Sequence, residues 1–381
     1  MRPVTLICSA PPLVGTGEVD VSRLNAAARQ YKRSIRRVGG YWIADFWIYP
    51  SQAAPEAYLR EWFENRLGFG FREKLGGVIT WDGVIWTMEL ALDGHKEKKD
   101  LGDVYNAVRT DYLDTDQAPQ STAWFTNAGS IAQYGRREEI LYEDEIDATA
   151  AAAAAQDELL RQGDSFAQTV AIGSQVNQDG LHVTAVGRVV TANNRYITVD
   201  DGTTGNISDF VSDIIDTDCD FLKVGRIQTN TLQKKRTFNE PKRGWDAIVE
   251  LLRLGDGTNP WVFYVDSDGY AHYEAASNIP RYEWRGRDGG LVGRLGNQTF
   301  WEFWPGVIRN TKRTPTTPAP GTFLADGRDS WVMEVEMGDG FAEASLKPDG
   351  IDPEEIARAV EINKQQLLED AKEKSTQSGG A

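Results

Sequence analysis

Short runs of aromatic and β-branched residues, punctuated by glycine, recur along most of this chain and constrain its fold more than any other feature. Val38-Gly39-Gly40-Tyr41-Trp42-Ile43-Ala44-Asp45-Phe46-Trp47-Ile48 reads as a strand after a Gly-Gly pair. Leu75 to Leu90 reads as two strands around Asp82-Gly83, a strong short-range hairpin signal. Trp261-Val262-Phe263-Tyr264-Val265 and Tyr270-Ala271-His272-Tyr273-Glu274 flank Asp266-Ser267-Asp268-Gly269, another hairpin by composition. Phe166–Val199 returns to strands, with Gly180 to Val190 the clearest run, and Trp331 to Met337 alternates as a strand. A chain of this kind is mainly β.

Helical spacing appears between the strands. Tyr58, Leu59, Trp62, Phe63 and Leu67 fall on one face of a helix running from Pro55 to Gly68. Asp103 to Leu113 reads as a second helix, with Val104, Ala107, Val108 and Leu113 as its apolar set. Asp114 to Thr126 is polar and turn-rich. An acidic helix is predicted from Asp144 to Arg161 on the alanine run 150–155, because alanine has the best helix propensity. Its alanine face suits either close packing or a simple spacer. Asn206–Ile215 and Arg243–Leu254 read as further short helices. Thr311–Pro320 is a Pro/Thr-rich loop. Asp352-Pro353-Glu354-Glu355 opens a C-terminal helix, with proline at the first position and acids at the positive end of the dipole. Ser375–Ala381 is small, polar and expected to be disordered.

The expected class is α+β, mainly β, multi-domain, with short helices. The divisions read from the sequence are 1–95 (β-rich), 96–165 (helical linking segment with the Ala-rich helix), 166–300 (second α+β region), 301–346 (β return) and 347–381 (C-terminal helix and tail). At 381 residues, two to four domains are expected.

Scarce residues exclude much chemistry. Two cysteines, Cys8 and Cys219, and three histidines, His95, His182 and His272, leave no four-cysteine metal site, no CxxC pair and no HExxH site. No GxGxxG, GxxxxGK[ST] or GxSxG motif occurs. No catalytic, cofactor or metal residues are therefore assigned, and an enzyme is not expected. Asp216-Thr217-Asp218-Cys219-Asp220 and Asp266-Ser267-Asp268-Gly269 are the candidate Ca²⁺ clusters, against the reading that they are solvated faces or turns. No 18-residue apolar run is present and the N-terminus does not resemble a signal peptide, so a chain made in a reducing cytoplasm, with free cysteines and no membrane insertion, is expected.

Charge is localised. The net −16 comes mostly from Glu138–Asp164 (nine acids, one base) and Asp200–Asp220 (seven acids, no base). Residues 1–40 run the other way, with seven bases and two acids. Arg29, Lys32, Arg33, Arg36 and Arg37 form a basic cluster beside Tyr31. Three readings are open for it: a nucleic-acid contact, a solvated loop, or a basic edge that pairs with an acidic patch on a neighbouring subunit. The last two are favoured, because a long-range acidic field repels phosphate. Trp42, Trp47, Trp81, Trp86, Trp261 and Trp301 are expected as core or interface anchors.

Several segments, in order, resemble tail-tip or baseplate hub proteins of tailed bacteriophages, the kind called minor tail proteins. They are Ser34 to Trp42; Tyr134-Gly135-Arg136-Arg137-Glu138-Glu139-Ile140-Leu141 before the Ala-rich helix; Trp245 to Asp256 with the hairpin that follows; and Trp304-Pro305-Gly306. The segment after Leu346 has no counterpart in the resemblance. The resemblance implies interlocked β-barrel-like hub domains in a homotrimeric ring. It implies a place at the virion tail tip and a non-enzymatic role. The partners implied are a distal tail or tube protein, the tape measure, and a fibre or spike, with DNA passing without specific binding. Two rivals remain: a carbohydrate-binding host-recognition tail protein, and a tail-associated cell-wall hydrolase.

Overall fold

The computed structural model describes residues 4–10, 18–19, 21–36, 38–75, 78–164, 166–172, 179–199, 202–238, 240–259 and 261–276. Beyond these it describes the strand segments 280–285, 291–294, 307–311, 330–331, 334–337 and 344–347. The first stretch builds β1 (Val4–Ser9), β2 (Glu18–Val19), α1 (Val21–Ala27), β3 (Ala28–Arg36), β4 (Gly39–Ile48), α2 (Glu56–Asn65), β5 (Gly70–Leu75), β6 (Val78–Leu92) and β7 (His95–Asp100). A middle block follows, with β8 (Ala107–Leu113), β9 (Pro119–Ser121), β10 (Phe125–Thr126), α3 (Ala128–Tyr134), β11 (Glu138–Glu143) and α4 (Ala148–Gln162). The chain continues through β12 (Gln168–Ile172), β13 (Gly180–Gly187), a 3₁₀ segment (Arg188–Asn194), β14 (Thr204–Asn206), α5 (Ile207–Asp218), β15 (Lys223–Ile227), β16 (Gln233–Lys235), α6 (Gly244–Leu254), β17 (Trp261–Val265) and β18 (Tyr270–Ala275). The later strands are β19 (Pro280–Arg285), β20 (Leu291–Arg294), β21 (Val307–Thr311), β22 (Ser330–Trp331), β23 (Glu334–Met337) and β24 (Ala344–Lys347).

The protein is α+β and mainly β. Among the described residues, fourteen strands join one curled, open half-barrel sheet, whose main path runs β15-β18-β17-β4-β13-β6-β5-β1-β2. β13 lies between β4 and β6, so the 166–300 interval supplies a strand to the sheet begun by residues 1–95. β23 pairs with β3, with Glu334 in register with Arg36 and Val335 with Ile35. Residues 332–333 lie outside the described residues, as do the Pro/Thr loop beyond Thr311, the C-terminal helix and the tail.

Two apolar cores result, and the chain passes from one to the other at Gly187-Arg188. The first holds Leu59, Trp62, Phe63, Phe46, Phe71 and Trp81, all with no exposed surface. α2 packs its predicted face here, and each fully buried side chain of this size contributes about 1.5–3 kcal/mol. The second core is built by α5 and α6 against β17 and β18, around Phe263 and Tyr273. A Cβ at Gly187 would strike the Tyr41 carbonyl, so only glycine lets β13 end this close to β4.

Three sequence expectations are overturned, the third in part. Asp82-Gly83 is not a turn: β6 runs straight through it, and β5 meets β6 at Leu75–Val78 instead. Asp82 is held inside by two arginines, and Gly83 is needed because a Cβ there would strike the Val186 carbonyl and the Trp81 ring. Asp103–Leu113 is not a helix. Leu101–Asp103 is a 3₁₀ turn capped by Asp100, whose carboxylate accepts the Gly102 N–H at 2.8 Å, and β8 follows. Val108 and Thr110 face in while Arg109 and Asp111 alternate with them, and the parallel ladder to β11 outweighs the helical spacing. The Gly180–Val190 run also stops being a strand at Gly187.

The Ala-rich helix resolves toward packing. Asp147 caps α4 by accepting the Ala150 N–H at 2.8 Å, and Ala151 and Ala155 are fully buried. The Thr110 hydroxyl of β8 donates to the Ala151 carbonyl at 3.0 Å, a contact that a larger side chain on this face would obstruct.

Candidate functional site

The segment Tyr134–Glu139 joins the two cores, and each of its residues has a separate task. Asn127 caps α3 by accepting the Ser130 N–H at 3.1 Å. Gly135 ends the helix at φ +76°, where a side chain would also strike the Phe221 ring. Phe221 belongs to the stretch between α5 and β15, yet it packs against the first core. Tyr134 is buried against Gly68, where a Cβ would fall 2.7 Å from its ring.

Arg137 points inward and is 5% exposed. Its Nε donates to the Val104 carbonyl at 2.8 Å and its guanidinium donates to the Asn194 side-chain oxygen at 2.7 Å. The guanidinium carbon lies 4.7 Å from the centre of the Trp86 ring. Asn106 fixes the backbone, accepting the Arg137 N–H at 2.8 Å and donating to the Gly135 carbonyl at 2.8 Å. Burial lowers the Arg137 pKa to about 10, which leaves the guanidinium charged at neutral pH.

The two glutamates face the 3₁₀ segment and its continuation. One Glu138 oxygen accepts from Arg136 Nε at 2.5 Å, and the other accepts the Tyr196 N–H at 2.9 Å. Glu139 accepts from Arg243 at 2.6 Å, while Arg243 also donates to the Asn193 carbonyl at 2.9 Å. Arg195 bridges onward to Asp220 at 2.7 Å. A second clamp lies nearby: Asp82 accepts from Arg72 Nε at 2.6 Å and pairs with Arg188, the first residue of the 3₁₀ segment. Charges from both sides therefore converge on residues 188–196. A cavity of about 180 Å³ lies beside this joint, walled by Trp86, Leu101, Tyr134, Thr191 and Phe221.

The joint links the two cores through polar contacts, beside the β4–β17 pairing of the common sheet. Glu138, Glu139 and Asp82 are each engaged by arginine, so none is presented to a substrate as a free acid or base.

The predicted basic cluster is split by the strand it lies on. Arg33 is internal and pairs with Glu73 at 2.5 Å. Glu73 also accepts from the Tyr31 hydroxyl at 2.8 Å and the Thr80 hydroxyl at 2.7 Å. Arg36 lies over Trp42 at 4.2 Å. Arg29 and Lys32 are exposed, and Arg37 lies outside the described residues. Residues 30–35 depart from strict alternation because Gln30 has φ +55° and two register shifts interrupt the pairing with β4.

The aspartate clusters are occupied by the protein itself. Asp218 accepts from the Thr198 N–H and hydroxyl at 3.0 and 2.8 Å. Asp266 accepts the Asp268 and Tyr270 N–H groups at 2.9 Å, and His272 Nε2 lies 3.0 Å away. Among the described residues no group of His, Cys, Asp or Glu is arranged to hold a metal. Cys8 and Cys219 are both buried and form no disulfide, and burial with the nearby Asp218 and Asp220 pushes the Cys219 thiol up to about 12. Of the predicted tryptophans, Trp81 and Trp261 are buried, Trp42, Trp47 and Trp86 half-buried, and Trp301 lies outside the described residues. The Trp47 ring stacks on His182 at 4.6 Å and Tyr49 at 5.7 Å.

Sequence reasoning missed the roles of Glu73, Asp82, Asn106 and Arg188. The one available signal was an acid inside an otherwise apolar run, Asp82 between Trp81 and Val84.

No family model matches the chain, and no curated protein matches it. Among solved structures, it is similar in shape to the 43 kDa tail protein of prophage MuSo2 from Shewanella oneidensis, with a TM-score of 0.40 and 7% identity, over 92% of this chain and 98% of that one.

Proposed function

We propose that this chain is a non-enzymatic structural component of a bacteriophage tail tip or baseplate, a hub subunit that closes the tail tube, connects it to fibres or a spike and gates DNA passage. The joint carries the reading. Tyr134-Gly135-Arg136-Arg137-Glu138-Glu139, within the segment to Leu141 that resembles the hub proteins, is one place where the two cores are tied by directional polar contacts. Apolar burial alone is non-directional. Hydrogen-bonded ion pairs fix an angle between bodies, as a ring subunit under strain requires.

The acidic segments fit a channel that passes DNA without holding it, since like charge disfavours phosphate contact. The proposed assembly is a homotrimer in the virion, touching the distal tail or tube protein and the tape measure.

Light scattering of the full chain over a wide concentration range tests the assembly. A mass of three chains is expected. A monomer throughout, together with degradation of peptidoglycan or polysaccharide by the purified protein, would replace this reading with the hydrolase.

A further inference from the structure

The cavity of about 180 Å³ beside the joint takes its walls from both cores. Leu101 and Tyr134 belong to the first core, and Trp86 and Phe221 pack against it. Thr191 and Asn194 come from the 3₁₀ segment, whose Val189 and Ala192 lie in the second core. The lining is mostly apolar. An apolar cavity of about 150 Å³ already admits a benzene ring, and stays dry when empty. The guest that fits here is one aromatic ring with a small substituent.

The wall also carries a donor. Asn194 is 5% exposed. A guanidinium has only N–H groups to offer, so the Asn194 atom 2.7 Å from Arg137 is the amide oxygen. That leaves the amide nitrogen, which has no acceptor among the described residues. The charged Arg137 on the same amide polarises its N–H and makes it a better donor. Thr191 differs, because its hydroxyl already donates to the Arg188 carbonyl at 2.6 Å. A buried donor without a partner is costly, and an acceptor on the guest removes that cost. The charges at the wall are matched within the protein: Arg136 pairs with Glu138, and Asp220 with Arg195. An ionic guest would lose its hydration and gain no counter-charge, so the fitting guest is neutral.

We propose that this cavity is a binding site for a small uncharged aromatic compound with one carbonyl-type acceptor, seated among Trp86, Leu101, Tyr134 and Phe221 and held by the Asn194 amide N–H. Because its walls come from both cores, the site is complete only while they are docked, and occupancy favours the docked arrangement. The site stands apart from the tail role proposed above and does not rest on it.

An NMR titration of the full chain tests it with two probes of one shape: acetophenone, and α-methylstyrene, which lacks the acceptor oxygen. Saturable binding of both is expected, with acetophenone about 2- to 10-fold tighter, the worth of one ordinary hydrogen bond. The Asn194 side-chain amide signal, identified by its loss in N194D, is expected to shift with acetophenone. N194D keeps an acceptor for Arg137 and removes only the donor. It is expected to bind α-methylstyrene as the wild type does and to lose the preference for acetophenone. No saturable binding, equal wild-type affinity for the two probes, or an unmoved Asn194 signal would each overturn the proposal. In a second arm, L101W fills the cavity and is expected to abolish binding of both probes. If L101W does not fold, A132W takes its place, at an exposed position on the same wall. Undiminished binding by the folded variant would overturn the proposal.

Discussion

Arg33 Nε lies 2.5 Å from a Glu73 carboxylate oxygen, and both side chains are shut away from water, 2% and 0% exposed. Burying two charges is costly, and the pair is tolerated because Tyr31 and Thr80 also donate to the same carboxylate. Removing one partner leaves the other charge buried and uncompensated. E73Q is expected to lower stability by about 3–5 kcal/mol. R33M/E73L, which removes both charges, is expected to lose less than the sum of the single variants. Urea unfolding midpoints measure both, and an E73Q curve lying on the wild type would contradict the account.

Gly83 is held by closeness and not by turn geometry. A Cβ there meets the Val186 carbonyl, which is backbone and cannot swing aside. G83A is expected to cost about 1–3 kcal/mol or more through overpacking between β6 and β13. The comparison is G102A, whose Cβ would meet side chains alone, the Asp100 carboxylate at 3.0 Å and the Trp86 indole nitrogen at 3.5 Å, and is expected to cost less. Thermal unfolding of the two variants side by side gives the order.

The same glycine shows where the sequence was legible. Strands with their own β-branched and aromatic density, such as β4, β17 and β18, could be read locally, as could the amphipathic helices α2, α5 and α6. Asp82-Gly83 could not, because the partners that keep Asp82 inside are ten and 106 residues away, at Arg72 and Arg188. Val104 to Leu113 carries apolar residues at helical spacing, and its alternate reading as a strand depends on β11 lying alongside. The resemblance marked Tyr134–Glu139. The polar residues that give the joint its geometry, Asn106, Asn194 and Arg243, come from elements far apart in the chain.

Asp266 gives the hairpin turn a defined acid response. Burial pushes its pKa up, but the contact with His272 and the Tyr270 and Asp268 N–H groups outweigh that and hold it below the usual carboxylate value. The Arg226 N–H donates to His272 Nδ1 at 3.4 Å, which leaves Nε2 as the protonated nitrogen facing Asp266. A depressed folded pKa contributes stability that is present above the unfolded value, about 3.9, and is lost as pH falls through the folded value. In a thermal-melt series from pH 6 down to pH 2, D266N is expected to melt lower than wild type at pH 6. The two are expected to converge at the acid end. A constant offset across the series would show that the carboxylate charge contributes nothing.

Arg137 couples the two cores by touching both sides at once: the Val104 carbonyl and Trp86 on one, the Asn194 side chain on the other. A methionine there keeps much of the apolar stem and removes every directional contact. The Val104 carbonyl and Asn194 oxygen would then lose a charged donor, at about 1.5–3 kcal/mol for each hydrogen bond. Because the lost contacts are those between bodies, the cost is expected to fall on coupling more than on either core. In scanning calorimetry the wild type is expected to unfold in one transition, and R137M in two separated ones, since cores that no longer support each other unfold at their own temperatures. R137K tests the geometry: it retains the charge but lacks the planar fork that reaches both oxygens, so its trace is expected to resemble R137M more than wild type. A single transition shifted to lower temperature in both variants would mean that Arg137 stabilises the protein without joining its parts.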